Sequence, residues 1–217
     1  MLFRSIGDSH AADAGTAILR ASEQIQDQIS ISYSALGGCK ALQNTQDELP
    51  STWPNRSGCI NINKNQRFNV DFLDHYDVIV VNFLISNRWN VDYIIQYLQF
   101  LDDNFSGHII AFGGAFFFDE ELPSFINRGN SVGSIDSIVK NDPSSDDRQI
   151  RQGNFENVLF LSKYDVFCPN NECTFITVDG TLMTYDRHHL SVDFARLLGE
   201  SYASQIGEVL TSSRHMN

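Results

Sequence analysis

The stretch FRSIGDSHAAD, residues 3–13, decides how the rest of the chain is read. Phe3 and Ile6 lead into a Gly-Asp-Ser-His turn. From Ala12 to Gln28, Ala14, Ala17, Ile18, Ala21 and Ile25 then recur at spacings of three and four, the pattern of an amphipathic helix. ISISYSAL, Ile29 to Leu36, alternates apolar and polar side chains as a half-buried strand does. Strand, turn, helix and strand in that order imply a parallel sheet. Within this unit Ser9 has two readings: a nucleophile presented at the end of a strand, or a hydroxyl that caps the first amides of a helix. Gly7 serves both, because it frees the backbone to turn.

Further along, the pattern repeats. YDVIVVNFLIS, residues 76–86, is a continuous β-branched run of the kind buried on both faces of a sheet, so it is expected at the centre. Val91, Ile94, Ile95, Leu98 and Leu101 form one stripe of a second helix, and GHIIAFGG, residues 107–114, supplies the next strand. AFFFDEELPSF, residues 115–125, is read as a lid or rim against the sheet, and NDPSSDD, residues 141–147, as polar surface. NVLFLSKYDVFC gives another strand, CTFITVDGTLMTYD a strand or hairpin turning at Asp179 and Gly180, and SVDFARLLGESYASQIGEVL one closing helix. The sum is a single domain over residues 1–217, a three-layer α/β/α sandwich around a mostly parallel central sheet, flavodoxin-like in kind. Residues 37–66 lack periodicity and read as a long surface excursion.

Composition narrows the function classes. The 217 residues carry a formal net charge of −12 and no cationic cluster, which argues against nucleic acid as a partner. No apolar run approaches the roughly 18 residues of a membrane span, and the first residues lack the layout of a secretion signal. Cys168 and Cys173 bracket CPNNEC, while Cys39 and Cys59 bracket the polar excursion. Two disulfides, the second pair pinning the excursion, are favoured over free thiols or zinc ligands, since the spacing is not that of a zinc knuckle and no histidine lies near. Disulfides suit an oxidising, extracytoplasmic compartment.

In an open α/β sheet, sites lie at the carboxyl ends of the strands. Ser9 falls there, and YDRHHLS just ahead of the closing helix places Asp186 three residues before His189. Such an Asp orients an imidazole through Nδ1 and leaves Nε2 to take a serine proton. Either half alone is more often a helix cap; together they form a Ser-His-Asp set on topologically sensible elements.

GDSHA near the start and DRHHLS near the end resemble the first and last sequence blocks of the SGNH (GDSL-like) hydrolase superfamily. The closer resemblance is to its branch fused to, or partnered with, membrane acyltransferase-3 proteins that O-acetylate cell-surface polysaccharides. YDVIVVNFLISNRW, HIIAFGG and FCPNNECTFITVDGTLMTYDRHHLS look like further segments of that branch, and the likeness runs from about Ile6 to Gly199. It implies Ser9 as nucleophile, His189 as general base and Asp186 as the orienting carboxylate, with His10 and His188 as neighbours. The implied reaction is acetyl transfer to a cell-surface polysaccharide through an acyl-serine. Two alternatives stand beside it: a carbohydrate O-acetylesterase, and a non-catalytic glycan-binding module on the same fold. The implied partners are an acetylated or acetyl-accepting glycan and a membrane acyltransferase-3 domain. The implied location is periplasmic or at the cell surface, as part of a membrane protein or beside one. The start of the chain at its first strand is expected of a fragment of a larger membrane protein or of a degenerate stand-alone domain.

The usual Gly-x-Asn-Asp block of the superfamily is missing, so the oxyanion donors are sought at other strand ends: Asn87, Arg88 and the amides of Gly113 and Gly114. Arg88 is the choice for an acyl or sugar contact, against a plain salt bridge to an acidic neighbour. Trp89, Phe116, Phe117 and Phe118 are read as core rather than as a sugar platform. No cofactor and no metal are expected, since the adjacent imidazoles of His188 and His189 should diverge and no third ligand follows.

Overall fold

Strand β1 (Leu2–Gly7) has parallel partners on both flanks, β2 (Ser30–Ala35) and β3 (Val78–Asn82). Outside β3 lie β4 (His108–Phe112) and β5 (Val158–Leu161), giving the order β2-β1-β3-β4-β5 with every neighbouring pair parallel. The computed structural model describes residues 1–43, 49–53, 55–85 and 91–213, so Asn87, Arg88 and Trp89 lie outside the described residues.

The β-branched run at β3 shows why the sheet is covered on both faces. Val78 and Val80 point into one apolar layer with Phe3, Ile110 and Phe112, and the intervening Ile79 and Val81 point into the other with Ile6, Ile109 and Ala111. Helix α1 (Ala11–Gln24) covers the first layer with Ala14, Ala17, Ile18 and Ala21. The second is covered by α4 (Val91–Asn104) through Ile94, Tyr97, Leu98 and Leu101. The three-layer α/β/α architecture expected from the sequence is the one observed.

Two of the differences from expectation come from polar residues that face inward, Arg67 and Asp147. The excursion after β2 is only partly surface: it contains α2 (Arg56–Ile62) and runs into a π turn (Asn63–Arg67), followed by the short α3 (Val70–Leu73), and Cys39, Leu42, Leu49 and Cys59 form a small core of their own. Arg67 is fully buried there and donates to the carbonyls of Gly7 and Cys39 and to Asn63 Oδ1. Burial lowers its guanidinium to about 10, with Tyr97 and Asp8 opposing.

Phe116 and Phe118 are core, as expected of them, and form no lid; both lie in the first apolar layer, ahead of α5 (Leu122–Asn127). NDPSSDD is the start of α6 (Pro143–Arg151): Asp142 caps it by accepting the Ser145 amide, and Asp147 is buried. After β5 comes α7 (Lys163–Phe167). The segment that follows turns at Asp179 and Gly180 between the bridge partners Ile176 and Leu182. The closing helix is two helices, α8 (Val192–Ser201) and α9 (Ala203–Ser213), both packed on the α1 side. The break is at Tyr202, whose backbone leaves the helical region (φ −109, ψ 13) and whose hydroxyl donates to Ser162 O at 2.8 Å.

Candidate active site

The turn between β1 and α1 is held at three points along the end of β3. Gly7 abuts β3 so closely that a Cβ would collide with the Asn82 carbonyl oxygen. Buried Asp8 accepts the His10 amide at 2.9 Å and the Leu84 amide at 3.0 Å, which ties the turn to the end of β3. Asn82 donates to His10 O at 2.6 Å and in turn accepts from Lys163 Nζ at 2.7 Å, so a buried polar strut runs from the turn through β3 to the end of β5. Burial lowers the Lys163 ammonium to about 8, while Asp13, Asp147 and Asp8 act to keep it charged.

Ser9 is not the helix cap. The cap position of α1 is His10, which makes no side-chain capping bond. The exposed Ser9 hydroxyl instead lies 2.6 Å from His189 Nε2, across 180 residues of sequence. His189 Nδ1 is 2.6 Å from Asp186 Oδ2. Asp186 Oδ1 accepts the amides of His188 and His189, each at 2.8 Å. Burial alone would raise the Asp186 carboxyl, but these amides and the His189 ring outweigh it and hold it at about 2. A carboxylate ionised at any ordinary pH keeps the Nδ1 proton of His189 in place and leaves Nε2 free to accept from Ser9, the polarity that a serine nucleophile requires.

A fourth and a fifth group lie beside this line. His10 is fully buried and stacks on His189, with ring centroids 4.6 Å apart and planes 22° from parallel. Its Nε2 is 3.1 Å from His188 Nδ1. The expectation that adjacent imidazoles diverge fails: the His188 and His189 centroids are 4.2 Å apart, and the fold brings His10 in as a third, with ring nitrogens of all three within 4.8 Å of one another. The near-parallel stack of His10 on His189 puts their lone pairs in offset planes. Chelation by all three therefore requires at least one ring to turn.

The oxyanion candidates fare unevenly. Gly113 does not serve, because its amide already donates to Leu161 O at 2.9 Å. The Gly114 amide donates to Asp147 Oδ1 at 2.7 Å. Gly113 is required for another reason, since a Cβ there would collide with the Asp147 carboxylate, which also accepts from Ser162 Oγ. Burial raises the Asp147 carboxyl against these bonds. The amide of Ser9 itself makes no hydrogen bond among the described residues and is available as a donor. Cys39 is paired with Cys59, and Cys168 with Cys173, so none of the four cysteines is free. Phe117 is half-buried and stacks on His188 with centroids 5.7 Å apart.

The strut of Asn82 and Lys163 and the buried Asp13 and Asp147 were not singled out from the sequence. The one available signal is a lysine two residues past the end of an apolar strand, where a side chain can turn back into the interior.

The fold resembles that of the periplasmic domain of a lipopolysaccharide acetyltransferase from Salmonella ser. Paratyphi A: TM-score 0.70 and 16% identity, over 94% of this chain and 83% of that one. A lipase, Lip_vut3, from a goat rumen metagenome aligns at TM-score 0.47 and 12% identity, over 94% of this chain and 97% of that one. No curated protein matches. The family model described as "SGNH domain (fused to AT3 domains)" matches residues 5–204. With that match running from β1 to the start of α9, the chain belongs to the SGNH-domain family that occurs fused to AT3 domains.

Proposed function

We propose that this domain transfers an acyl group, acetyl in the first instance, to a hydroxyl of a cell-surface polysaccharide through an acyl-Ser9 intermediate. The observation that carries the reading is the unbroken line Ser9 Oγ, His189 Nε2, His189 Nδ1, Asp186 Oδ2, with 2.6 Å at both contacts. In the first step Ser9 Oγ attacks the donor carbonyl carbon, its proton passes to His189 Nε2, and the donor's leaving group departs with that proton. In the second step the acceptor hydroxyl attacks the acyl carbon and gives its proton to His189. The bond to Ser9 Oγ breaks, and His189 returns the proton to Ser9. Asp186 stabilises the imidazolium in both steps without being protonated, and the Ser9 amide is positioned to donate to the oxyanion.

The choice of acceptor separates a transferase from an esterase, which uses water. Membership of a family fused to AT3 domains supports transfer, with a membrane acyltransferase-3 domain as the source of the acyl group and a periplasmic or cell-surface location. Both disulfides are in keeping with that location.

The test compares p-nitrophenyl acetate turnover by the wild type, S9A and H189A, with fluorophosphonate labelling followed by intact mass. The reading expects labelling at Ser9 and a loss of about 10³-fold or more in both variants. Equal behaviour of the three proteins with no label would overturn it and leave a glycan-binding module.

A further inference from the structure

Beside the line from Asp186 to Ser9 runs a second one that the reaction above does not use. Asp13 Oδ2 is 3.2 Å from His10 Nδ1, and His10 Nε2 is 3.1 Å from His188 Nδ1. Asp13 is itself fixed, since Oδ2 also accepts the Leu190 amide directly after His189. The Asp13 contact is off the line of a hydrogen bond to His10, yet it decides the tautomer. A bare lone pair on Nδ1 would face a carboxylate inside a fully buried pocket, so the proton sits on Nδ1 and His10 Nε2 is the acceptor. His188 Nδ1 must then be the donor, and its Nε2 carries a lone pair.

That nitrogen has no protein partner among the described residues, and it is not enclosed. The ring that bears it is nonetheless fixed on three sides, by Phe117 stacked on its face, by His10 and by His189. Burial, helped by His10 and His189, lowers the His188 imidazole to about 4, against Asp186 and Asp8, so the lone pair is present at neutral pH. An oriented acceptor held beside the general base, with no partner among the described residues, is a binding group for a donor on the substrate.

We propose that His188 Nε2 accepts a hydrogen bond from a second hydroxyl of the acyl acceptor, adjacent to the one that attacks, so that the site selects vicinal diols such as those of sugar rings. His188 touches the substrate in this arrangement; His10 and Asp13 are positioning residues that act through it. No proton is transferred to His188, and the attacking hydroxyl still gives its proton to His189. The inference rests on the acyl-Ser9 reading and adds to it the group that selects among acceptor hydroxyls.

The experiment partitions one acyl-enzyme, formed from p-nitrophenyl acetate, between 1,2-ethanediol and ethanol present together, and reads the ratio of the two esters. A ratio is independent of how much of the protein is active, so a poorly folded variant does not mimic the result. The wild type is expected to favour the diol about tenfold beyond the twofold statistical advantage of its two hydroxyls, the size of one well-formed hydrogen bond. H188F should bring the ratio to the statistical value, and H10F should lower it while the amount of ester formed remains measurable. H188Q, which keeps an acceptor oxygen, should restore part of the preference. A wild-type ratio at the statistical value, or one that H188F leaves unaltered, would overturn the diol assignment while Ser9 labelling still supported the acyl-enzyme. Failure of Ser9 to label in the wild type would overturn both.

Discussion

Asp186 grips His189 twice: one carboxylate oxygen lies 2.6 Å from the ring nitrogen Nδ1, and the other accepts the backbone amide of the same residue at 2.8 Å. The ring is therefore oriented relative to its own backbone as well as to Ser9. We expect D186N to retain the loop, because an amide oxygen still accepts backbone bonds, and to lose the correct imidazole tautomer. Turnover of p-nitrophenyl acetate should drop by about 10³- to 10⁴-fold with little change in thermal midpoint. Since the Asp186 carboxyl is held near 2, any loss of wild-type rate above pH 4 must come from another group, and the pH–rate profile would reveal it.

Acid should destabilise the protein through His188. An ordinary histidine titrates near 6.5, and burial with its imidazole neighbours holds this one at about 4. Between those values the folded chain binds fewer protons than the unfolded one, so stability rises with pH across the window and is lost as pH falls through it. The variant H188Q removes the titration. Its melting temperature should fall less than that of the wild type between pH 6.5 and 4, and superimposable slopes would contradict the assignment.

The substitution G113A should destabilise the fold without touching the reacting atoms. The new methyl group displaces the Asp147 carboxylate and with it the bonds from Gly114 N and Ser162 Oγ. Leaving a buried carboxylate short of partners costs on the order of 2–4 kcal/mol. Urea denaturation measures it, and activity per folded molecule should stay within a few-fold of the wild type.

The two disulfides should differ in worth. Cys39 and Cys59 close a separation of 20 residues, Cys168 and Cys173 one of 5. Loop-closure entropy then assigns about 3 kcal/mol to the first and about 2 kcal/mol to the second. Paired serine variants, melted beside the wild type, should rank in that order. The longer closure has a further reason to matter, because it also holds the small core of Leu42 and Leu49.

Much of this architecture was legible because burial on both faces of a parallel sheet leaves a mark no surface segment carries. The run at Val78–Asn82 and the helical spacing of Ala14, Ala17, Ile18 and Ala21 are of that kind. Ser9 and His189 could be brought together from the sequence because parallel strand order sends successive strand ends to one edge. The inward-facing charges could not. Arg67, Asp147 and Lys163 sit in polar contexts that look like surface until the unpaired carbonyls and amides around them are known. Gly113 departs from expectation for a related reason: it does sit at a strand end, but whether an amide is free depends on the neighbouring strand, here on Leu161. The meeting of His10 with His188 spans 178 residues, and no local spacing announces it.

Buried Arg67 couples the opening of two segments. Its guanidinium satisfies the Gly7 carbonyl, one residue before the Asp8–Ser9 turn, and the Cys39 carbonyl in the connection after β2. Withdraw the π turn and both oxygens are stranded away from water, so the turn and the connection should unravel as one cooperative unit. In amide hydrogen exchange, the protection of Cys59 and Phe68 should then rise and fall together with that of Ala11, although the sheet interior at Val80 exchanges only on global unfolding.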